Sequence, residues 1–137
     1  MAFSINNNGM EIYLDIKYDP NNKELVKWYK VDYIFKFGDI INYQTIFSEI
    51  FLNEELPALE QFLSDYINDK LKNGDYIIFT EPDFCFEVNC SLKWIVSLWH
   101  EGCLCGNEFS TPLDKEQAEK LRDYLREIIG AKNDNNS

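Results

Sequence analysis

The sequence predicts an α+β fold, a twisted antiparallel β-sheet of about five to six strands packed by a central helix and a C-terminal helix. Three observations lead to this class. The first third of the chain alternates apolar and polar side chains with a period of two, which is typical of strands. The period then changes to that of an amphipathic helix, and a further group of short alternating segments precedes a second helical stretch. With 137 residues, 45% of them hydrophobic and 15% aromatic, the chain suffices for one domain with an aromatic core.

The first predicted strands are residues 11–18 and residues 25–37, because both segments alternate apolar with polar side chains. The turn between them is expected at residues 19–22, where Asp-Pro-Asn-Asn has turn chemistry. A third strand is expected within residues 41–52, pairing back on the second. The inward face of the second strand is predicted to comprise Val31, Tyr33, Phe35 and Phe37.

A central helix is predicted after Asn53, where apolar residues recur at the i, i+3, i+4 spacing. Pro57 fits the first turn of this helix, where its missing N–H does no harm. Asn73 and Gly74 supply the left-handed residue that commonly ends a helix. The helix is expected to cover one face of the sheet with Leu59, Phe62, Leu63, Tyr66, Ile67 and Leu71.

A second group of strands follows this helix. Residues 76–80 and 84–88 are predicted strands separated by a turn at residues 81–83, and another turn at residues 89–91 leads into the next strand. Short strands joined by tight turns are typical of an antiparallel meander. Residues 99–108 are expected to connect the sheet to the last helix. The buried face of the last strand is predicted to comprise Leu92, Trp94, Val96 and Leu98.

The last helix has the clearest start signal, because Asp114 and Gln117 have the spacing of a capping box. Leu113 is expected to pack on Ala118, and Gly130 is expected to end the helix. We find no internal repeat and no linker. The chain is therefore expected to form a single α+β domain over residues 1–130 with a flexible polar tail over residues 131–137. The buried stripe of the helix is predicted to comprise Ala118, Leu121, Leu125, Ile128 and Ile129.

The chain carries 24 acidic and 13 basic side chains, a formal net charge of −11. The surplus is densest in residues 73–110, which hold six acidic residues against the single base Lys93. This charge opposes binding of nucleic acid, because a phosphate backbone attracts patches of lysine and arginine. It suits attraction to a basic protein partner, and it also favours solubility.

No apolar run reaches the ~20 residues needed to cross a bilayer, and the first residues lack the pattern of a signal peptide. The sequence therefore predicts a cytoplasmic protein that does not bind a membrane. Its four cysteines are expected to be free thiols, because that compartment is reducing.

The stretch WHEGCLCGNE, residues 99–108, places the single histidine beside two cysteines. Structural zinc sites usually use CxxC pairs, whereas the spacing here is CxC. We therefore favour cysteines that pack as small, soft side chains, and we predict neither a metal nor another cofactor. Convergence on a metal stays open for five residues: Cys85, Cys90, His100, Cys103 and Cys105.

Catalysis is not predicted. A thiolate at Cys103 beside His100 would need an electropositive setting, whereas Glu101 and Glu108 would raise the pKa of a nearby thiol. Paired carboxylates at a hairpin turn, as in residues 81–83, are more often solvated than catalytic. The sequence has no Gly-rich phosphate loop, no GxSxG and no HExxH. We therefore expect a protein that is not an enzyme.

A protein-binding surface is the remaining candidate. Trp94 falls in the apolar phase of its strand and is expected in the core. Trp99 falls in the opposite phase beside acidic residues, which suits either an exposed hot spot or a tryptophan that shields the second face of the core. The predicted partner-binding residues are Glu81, Asp83, Trp99, Glu101 and Glu108, with the four acids as rim charges.

The order of these elements resembles that of the WapI-type bacterial immunity proteins, which neutralise polymorphic or contact-dependent toxins. The resemblance covers roughly residues 45–130 and rests on the helix LPALEQFLSDYINDKL, the strands IIFTEPDFCFEV and LKWIVSLW, and the run NEFSTPLDKEQAEKLRDYLREII. It implies a twisted antiparallel sheet with two helices, no catalytic residues, and a toxin domain as partner. Many such toxins are nucleases with basic clefts, which an acidic inhibitor would suit.

Two other functions stay open. One is a small zinc- or thiol-dependent protein that uses the Cys/His stretch, which metal analysis would reveal. The other is a non-enzymatic interaction domain with an unknown partner.

Overall fold

The computed structural model describes residues 2–18, 25, 27–100 and 102–135, apart from the side chains of residues 47, 134 and 135. The predicted α+β class is confirmed. The turn predicted at residues 19–22 lies outside the described residues. The elements are β1 (Phe3–Asn7), β2 (Met10–Lys17), β3 (Trp28–Phe37), β4 (Ile41–Leu52), α1 (Glu55–Ile67), β5 (Tyr76–Ile78), β6 (Phe84–Asn89), β7 (Ser91–His100), β8 (Cys103–Leu113) and α2 (Lys115–Asn135).

The described strands form two antiparallel sheets of four, rather than the single predicted sheet. The first sheet has the order β1-β2-β3-β4 and the second has the order β5-β6-β7-β8, so each is a meander of sequence neighbours. A helix follows each sheet, and the chain is a tandem of two ββββα units. The sequence analysis finds no repeat of residues, and the structure shows a repeat of topology, because two segments can fold alike without sharing a sequence pattern.

Side chains from both sheets and both helices form one hydrophobic core. Trp94 is 1% exposed, as its phase predicts, and its ring meets those of Phe35 and Phe84 edge-on, with centroids 5.5 and 5.2 Å away. Aromatic pairs of this kind contribute about 0.5–1.5 kcal/mol beyond the area they bury. In β3 the predicted alternation holds as far as Phe35, whereas Phe37 at the end of the strand is 38% exposed.

β1 is a strand that the sequence analysis does not predict. It pairs with β2 from Phe3 opposite Leu14 to Asn7 opposite Met10. The Asn7 amide nitrogen also donates to the hydroxyl of Thr111 in β8 at 3.1 Å. β1 therefore links an edge of the first sheet to an edge of the second.

The two helices form where predicted but end elsewhere. α1 ends at Ile67, because Asp69 takes a left-handed backbone (φ 59°) and its N–H bonds back to the last turn at 3.1 Å. Aspartate tolerates this conformation, so the helix stops before Gly74. α2 continues through Gly130 to Asn135, because an interior glycine weakens a helix without necessarily ending it. The predicted tail thus begins as helix.

The start of α2 is as predicted. The N–H of Gln117 donates to Asp114 Oδ1 at 2.8 Å, and the N–H of Asp114 donates to Gln117 Oε1 at 3.1 Å. This reciprocal pair is a capping box, which satisfies two backbone donors at the helix start. Neither helix in the described part of the chain is long and apolar enough to span a membrane.

Residues 99–108 belong to a β-hairpin and not to the predicted connection. β7 and β8 pair up to His100 opposite Cys103, so the chain reverses its direction between these two residues. Gly102 lies at φ 79°, a left-handed conformation that two-residue hairpin turns favour. The strands can therefore continue to the tip of the hairpin, and the segment that follows is strand as far as Leu113.

Candidate functional site

The predicted site residue Asp83 lies between the two sheets. It is 6% exposed and directly precedes β6. Its Oδ2 accepts a hydrogen bond from the Tyr33 hydroxyl of β3 at 2.9 Å and another from the Trp99 indole N–H of β7 at 3.1 Å. We call these three residues the junction network. The prediction of Asp83 as a rim charge on a solvated turn is wrong, because its carboxylate is an internal link between the sheets.

Trp99 reaches the junction network at an irregularity in its strand. The register of β7 with β8 shifts between Ser97 and Trp99. The alternation of inward and outward side chains does not continue past such an irregularity. Counting residues from Trp94 therefore does not predict which face of the sheet carries Trp99. Trp99 is partly buried, and its backbone N–H donates to the Tyr43 hydroxyl of β4 at 3.1 Å. Both N–H groups of Trp99 are therefore used within the chain.

The electrostatics of the junction network favour a fixed arrangement of donors and acceptor. Burial raises the pKa of Asp83, while the hydrogen bonds from Tyr33 and Trp99 oppose that rise. Burial, followed by the nearby Asp83 charge, raises the pKa of Tyr33 far above its ordinary value. Tyr33 therefore remains a donor at every physiological pH, and Asp83 has two donors when it is ionised.

A groove of about 330 Å³ adjoins the junction network. Its lining includes two of the predicted residues beyond Asp83, namely Glu81 and Trp99. Glu49 of β4 also lines it and forms an ion pair with Lys30. Neither Glu49 nor Tyr33 was among the predicted site residues, although a tyrosine hydroxyl in a buried phase signals a buried partner. The full lining is Thr45, Ser48, Glu49, Glu81, Asp83, Trp99 and Gly102.

Glu108 lies elsewhere, on β8 opposite Ser97, and it is exposed. Burial raises the pKa of Cys85, and the charges of Glu87 and Glu108 raise it further. The strand register places Cys85, Glu87 and Glu108 on the side of the second sheet that faces away from the core, and Lys93 stands opposite Glu87 on that side. We call this side the outer face. Glu101, the fifth predicted residue, lies outside the described residues.

The cysteines are free thiols: Cys85 is partly buried, whereas Cys90, Cys103 and Cys105 are exposed. In the described ranges, no group of three or more His, Cys, Asp or Glu residues is placed to hold a metal ion. The raised pKa of the Cys85 thiol makes it a poor nucleophile, because the reactive form is the thiolate.

Comparison with known proteins adds a fold relationship. No family model matches the sequence, and no curated protein matches it. The chain is similar in structure to the plant transcriptional regulator PBF-2, with a TM-score of 0.60 and 9% sequence identity. The match covers 96% of this chain and 89% of that chain. At this identity the likeness shows that the two chains share a fold across nearly their whole length.

Proposed function

We propose that this protein is a non-catalytic inhibitor that binds and neutralises a basic protein, most specifically a bacterial toxin domain. The observation that carries the proposal is the acidic surplus of residues 73–110, with six acids and one base. No ion pair joins Glu81, Glu87 or Glu108 to another described residue. Lys93 stands opposite Glu87 in the strand ladder, so the charges of Glu81 and Glu108 are the most available to a partner. A field of one sign raises the association rate of an oppositely charged partner.

The ion pairs of the chain contrast with this region. Lys17 pairs with Asp32 at 2.7 Å on the first sheet, and Arg126 pairs with Glu60 at 2.5 Å between the helices. Internal pairs of this kind neutralise acidic charge in the first unit and on the helices. In the second sheet Glu87 and Glu108 outnumber the single base Lys93, and Glu81 adds to this surplus just before β6, which supports a partner surface there.

The function we propose matches the one that the resemblance to WapI-type immunity proteins implies. It requires a protein in the cytoplasm of a bacterium, without a cofactor. A nuclease toxin with a basic cleft is the partner class that best complements a chain of net charge −11.

The test uses the toxin domain encoded beside this gene. We expect coexpression to restore growth, and we expect the association rate to fall as NaCl increases. Reversing Glu81, Glu101 and Glu108 to lysine should slow association about tenfold. Asp83 is left out of this set, because reversing a buried acceptor would disturb folding. The matched control is Glu127→Lys, since Glu127 is exposed on α2 and should change the rate little.

Failure of coexpression to restore growth, together with absence of binding to the purified toxin domain, would refute the proposal. Near-stoichiometric zinc in protein purified without chelator, lost on substitution of Cys103 and Cys105, would favour the zinc protein instead.

A second candidate function is a role in transcription, which the shared fold with a plant transcriptional regulator favours. The net charge of −11 opposes direct contact with a phosphate backbone, so this role would use protein contacts. Fluorescence anisotropy with labelled single-stranded and duplex DNA tests direct contact. Micromolar binding that weakens with salt would favour a nucleic-acid-binding regulator over the inhibitor.

A further inference from the structure

The groove beside the junction network carries more acidic than basic charge. Its lining includes the carboxylates of Glu49, Glu81 and Asp83 and, among the described residues, no lysine or arginine. Lys30 neutralises one of these three acids, because it forms an ion pair with Glu49. Three carboxylates and one lysine leave the groove with a surplus of two negative charges when all the acids are ionised.

Two polar groups of the groove lack the partner that their burial calls for. Asp83 is 6% exposed, and no ion pair joins it to another described residue, because its two donors, Tyr33 and Trp99, are neutral. The hydroxyl oxygen of Thr45 is buried and makes no hydrogen bond within the described part of the chain. A buried charge without a counter-ion and a buried hydroxyl without a partner both cost free energy. A ligand that brings a cation with several N–H donors would remove both costs.

The arrangement of the lining distinguishes between kinds of cation. In the ranges that the structure describes, no three acidic, histidine or cysteine side chains are placed to hold a metal ion, so the carboxylates of the groove do not converge on one point. Trp99 adds ring surface to the lining, because its indole N–H is already bonded to Asp83. A guanidinium is planar, carries five N–H donors and packs on aromatic rings, whereas an ammonium is a compact, strongly hydrated charge. Separated acceptors beside a ring therefore favour arginine over lysine or a metal ion.

We propose that this groove binds the guanidinium of an arginine side chain presented by the toxin domain. The guanidinium donates to Glu81 and to the Thr45 hydroxyl, and it packs on the ring of Trp99. It also supplies the positive charge that Asp83 lacks. This inference rests on the proposed function, because the arginine belongs to the basic partner, and arginine is among the residues that most often dominate the binding energy of an interface.

The probe is Nα-acetyl-arginine amide, added to isotope-labelled protein and followed by NMR. The matched control is Nα-acetyl-citrulline amide, because citrulline replaces the charged guanidinium with a neutral urea of nearly the same shape. We expect the arginine probe to bind with a dissociation constant of about 1 mM, as suits a single side chain. It should shift the signals of the Trp99 indole N–H and of the backbone around Thr45 and Glu81.

Two further results complete the test with the probe. The citrulline probe and Nα-acetyl-lysine amide should each bind about fivefold more weakly than the arginine probe, because one lacks the charge and the other lacks the planar set of donors. Equal binding of the arginine and citrulline probes would overturn the inference. Absence of saturable shifts from the arginine probe up to about 20 mM would overturn it as well.

Two substitutions should change the affinity for the arginine probe in opposite directions. Glu81→Gln removes a charged acceptor and should weaken binding about fivefold. Lys30→Gln removes the base that neutralises Glu49 and should tighten binding about twofold. Misfolding does not increase affinity, so Lys30→Gln decides the outcome if Glu81→Gln fails to fold, and an unchanged affinity in Lys30→Gln would contradict the inference. The matched control is Glu108→Gln, which removes one charge from the outer face of the second sheet and should leave the affinity unchanged.

The toxin domain separates this inference from the proposed function. We expect one arginine of the toxin whose substitution by glutamine weakens the complex about tenfold, and in a double-mutant cycle Glu81→Gln should add little to that loss. A toxin that is bound and neutralised with no arginine coupled to Glu81 would overturn the arginine contact and leave the inhibitor function standing. Saturable binding of the arginine probe by a chain that binds no toxin would refute the inhibitor function and leave a guanidinium site standing.

Discussion

Two tyrosines of β3 offer a direct measure of the bond that joins the sheets. Tyr29 and Tyr33 are both 0% exposed and lie on the same face of the strand. The hydroxyl of Tyr33 donates to Asp83 at 2.9 Å, whereas the hydroxyl of Tyr29 has no hydrogen-bond partner among the described residues. Substitution by phenylalanine removes the hydroxyl oxygen from each. The two variants therefore differ mainly in whether Asp83 loses a hydrogen-bond donor.

We expect Tyr33→Phe to lower the free energy of unfolding by about 1.5–3 kcal/mol, the range for hydrogen bonds to charged groups. Trp99 remains a donor to Asp83, which keeps the loss from exceeding this range. Tyr29→Phe should be neutral or stabilise the protein by up to about 1 kcal/mol, because it removes a buried hydroxyl without a partner. Burial raises the pKa of Tyr29 to about 12, so the lost group is neutral.

Urea unfolding at neutral pH, followed by far-UV circular dichroism, measures both values. With an m-value of about 2 kcal/mol per molar, the midpoint of Tyr33→Phe should fall by about 0.7–1.5 M. The difference in midpoint between Tyr33→Phe and the parent protein should be smaller in acid. There Asp83 is protonated in both proteins, and the lost hydrogen bond is one to a neutral group. Equal midpoints for Tyr33→Phe and Tyr29→Phe would show that the bond to Asp83 contributes nothing to folding.

Three further predictions concern other parts of the molecule. Burial raises the folded pKa of Asp83, so the stability that protonated Asp83 contributes is complete below its unfolded pKa and decreases as pH rises through its folded pKa. Urea midpoints at several pH values should show the parent losing stability relative to Asp83→Asn over that window, and a constant difference would contradict this. Asp114→Ala should lower the free energy of unfolding by about 1 kcal/mol through loss of the helix cap, with Glu116→Ala as the control; equal effects would refute the cap. Gly130→Ala should raise the melting temperature through a gain of about 0.5–1 kcal/mol, because no atom lies within 4 Å of the added Cβ, and a decrease would indicate a strained helix.

Local patterns predicted much of the fold because they report local physics. Period-two alternation located β2, β3 and β7, and the Asp114–Gln117 spacing located the start of α2. The division into two sheets was not predictable this way, because alternation shows which side chains point inward and not which strands pair. β1 was missed because Phe3–Asn7 is five residues long and has a weak apolar pattern.

The site was less predictable, because its defining contacts join distant parts of the chain. Asp83 lies in a segment that reads as a turn, and its burial is made favourable by two donors from elsewhere in the chain, Tyr33 fifty residues earlier and Trp99 sixteen residues later. The shift in register after Ser97 is likewise invisible in the alternation of β7. Glu81 and Glu108, which depend on exposure and not on a distant partner, have side chains that reach solvent as the sequence indicates.

The link between β1 and β8 bears on how the chain folds as it leaves the ribosome. Asn7 meets Thr111 across 104 positions, and the Ile16 N–H meets the Tyr124 hydroxyl across 108. At a synthesis rate of about 5–20 residues per second, the first strands wait about 5–20 s for these partners to be made. During that interval the side chains that β8 and α2 add to the core are absent, and contacts of such long sequence separation form slowly. A chaperone that binds the chain during synthesis would therefore help this protein more than a protein whose core is completed by segments close together in the sequence.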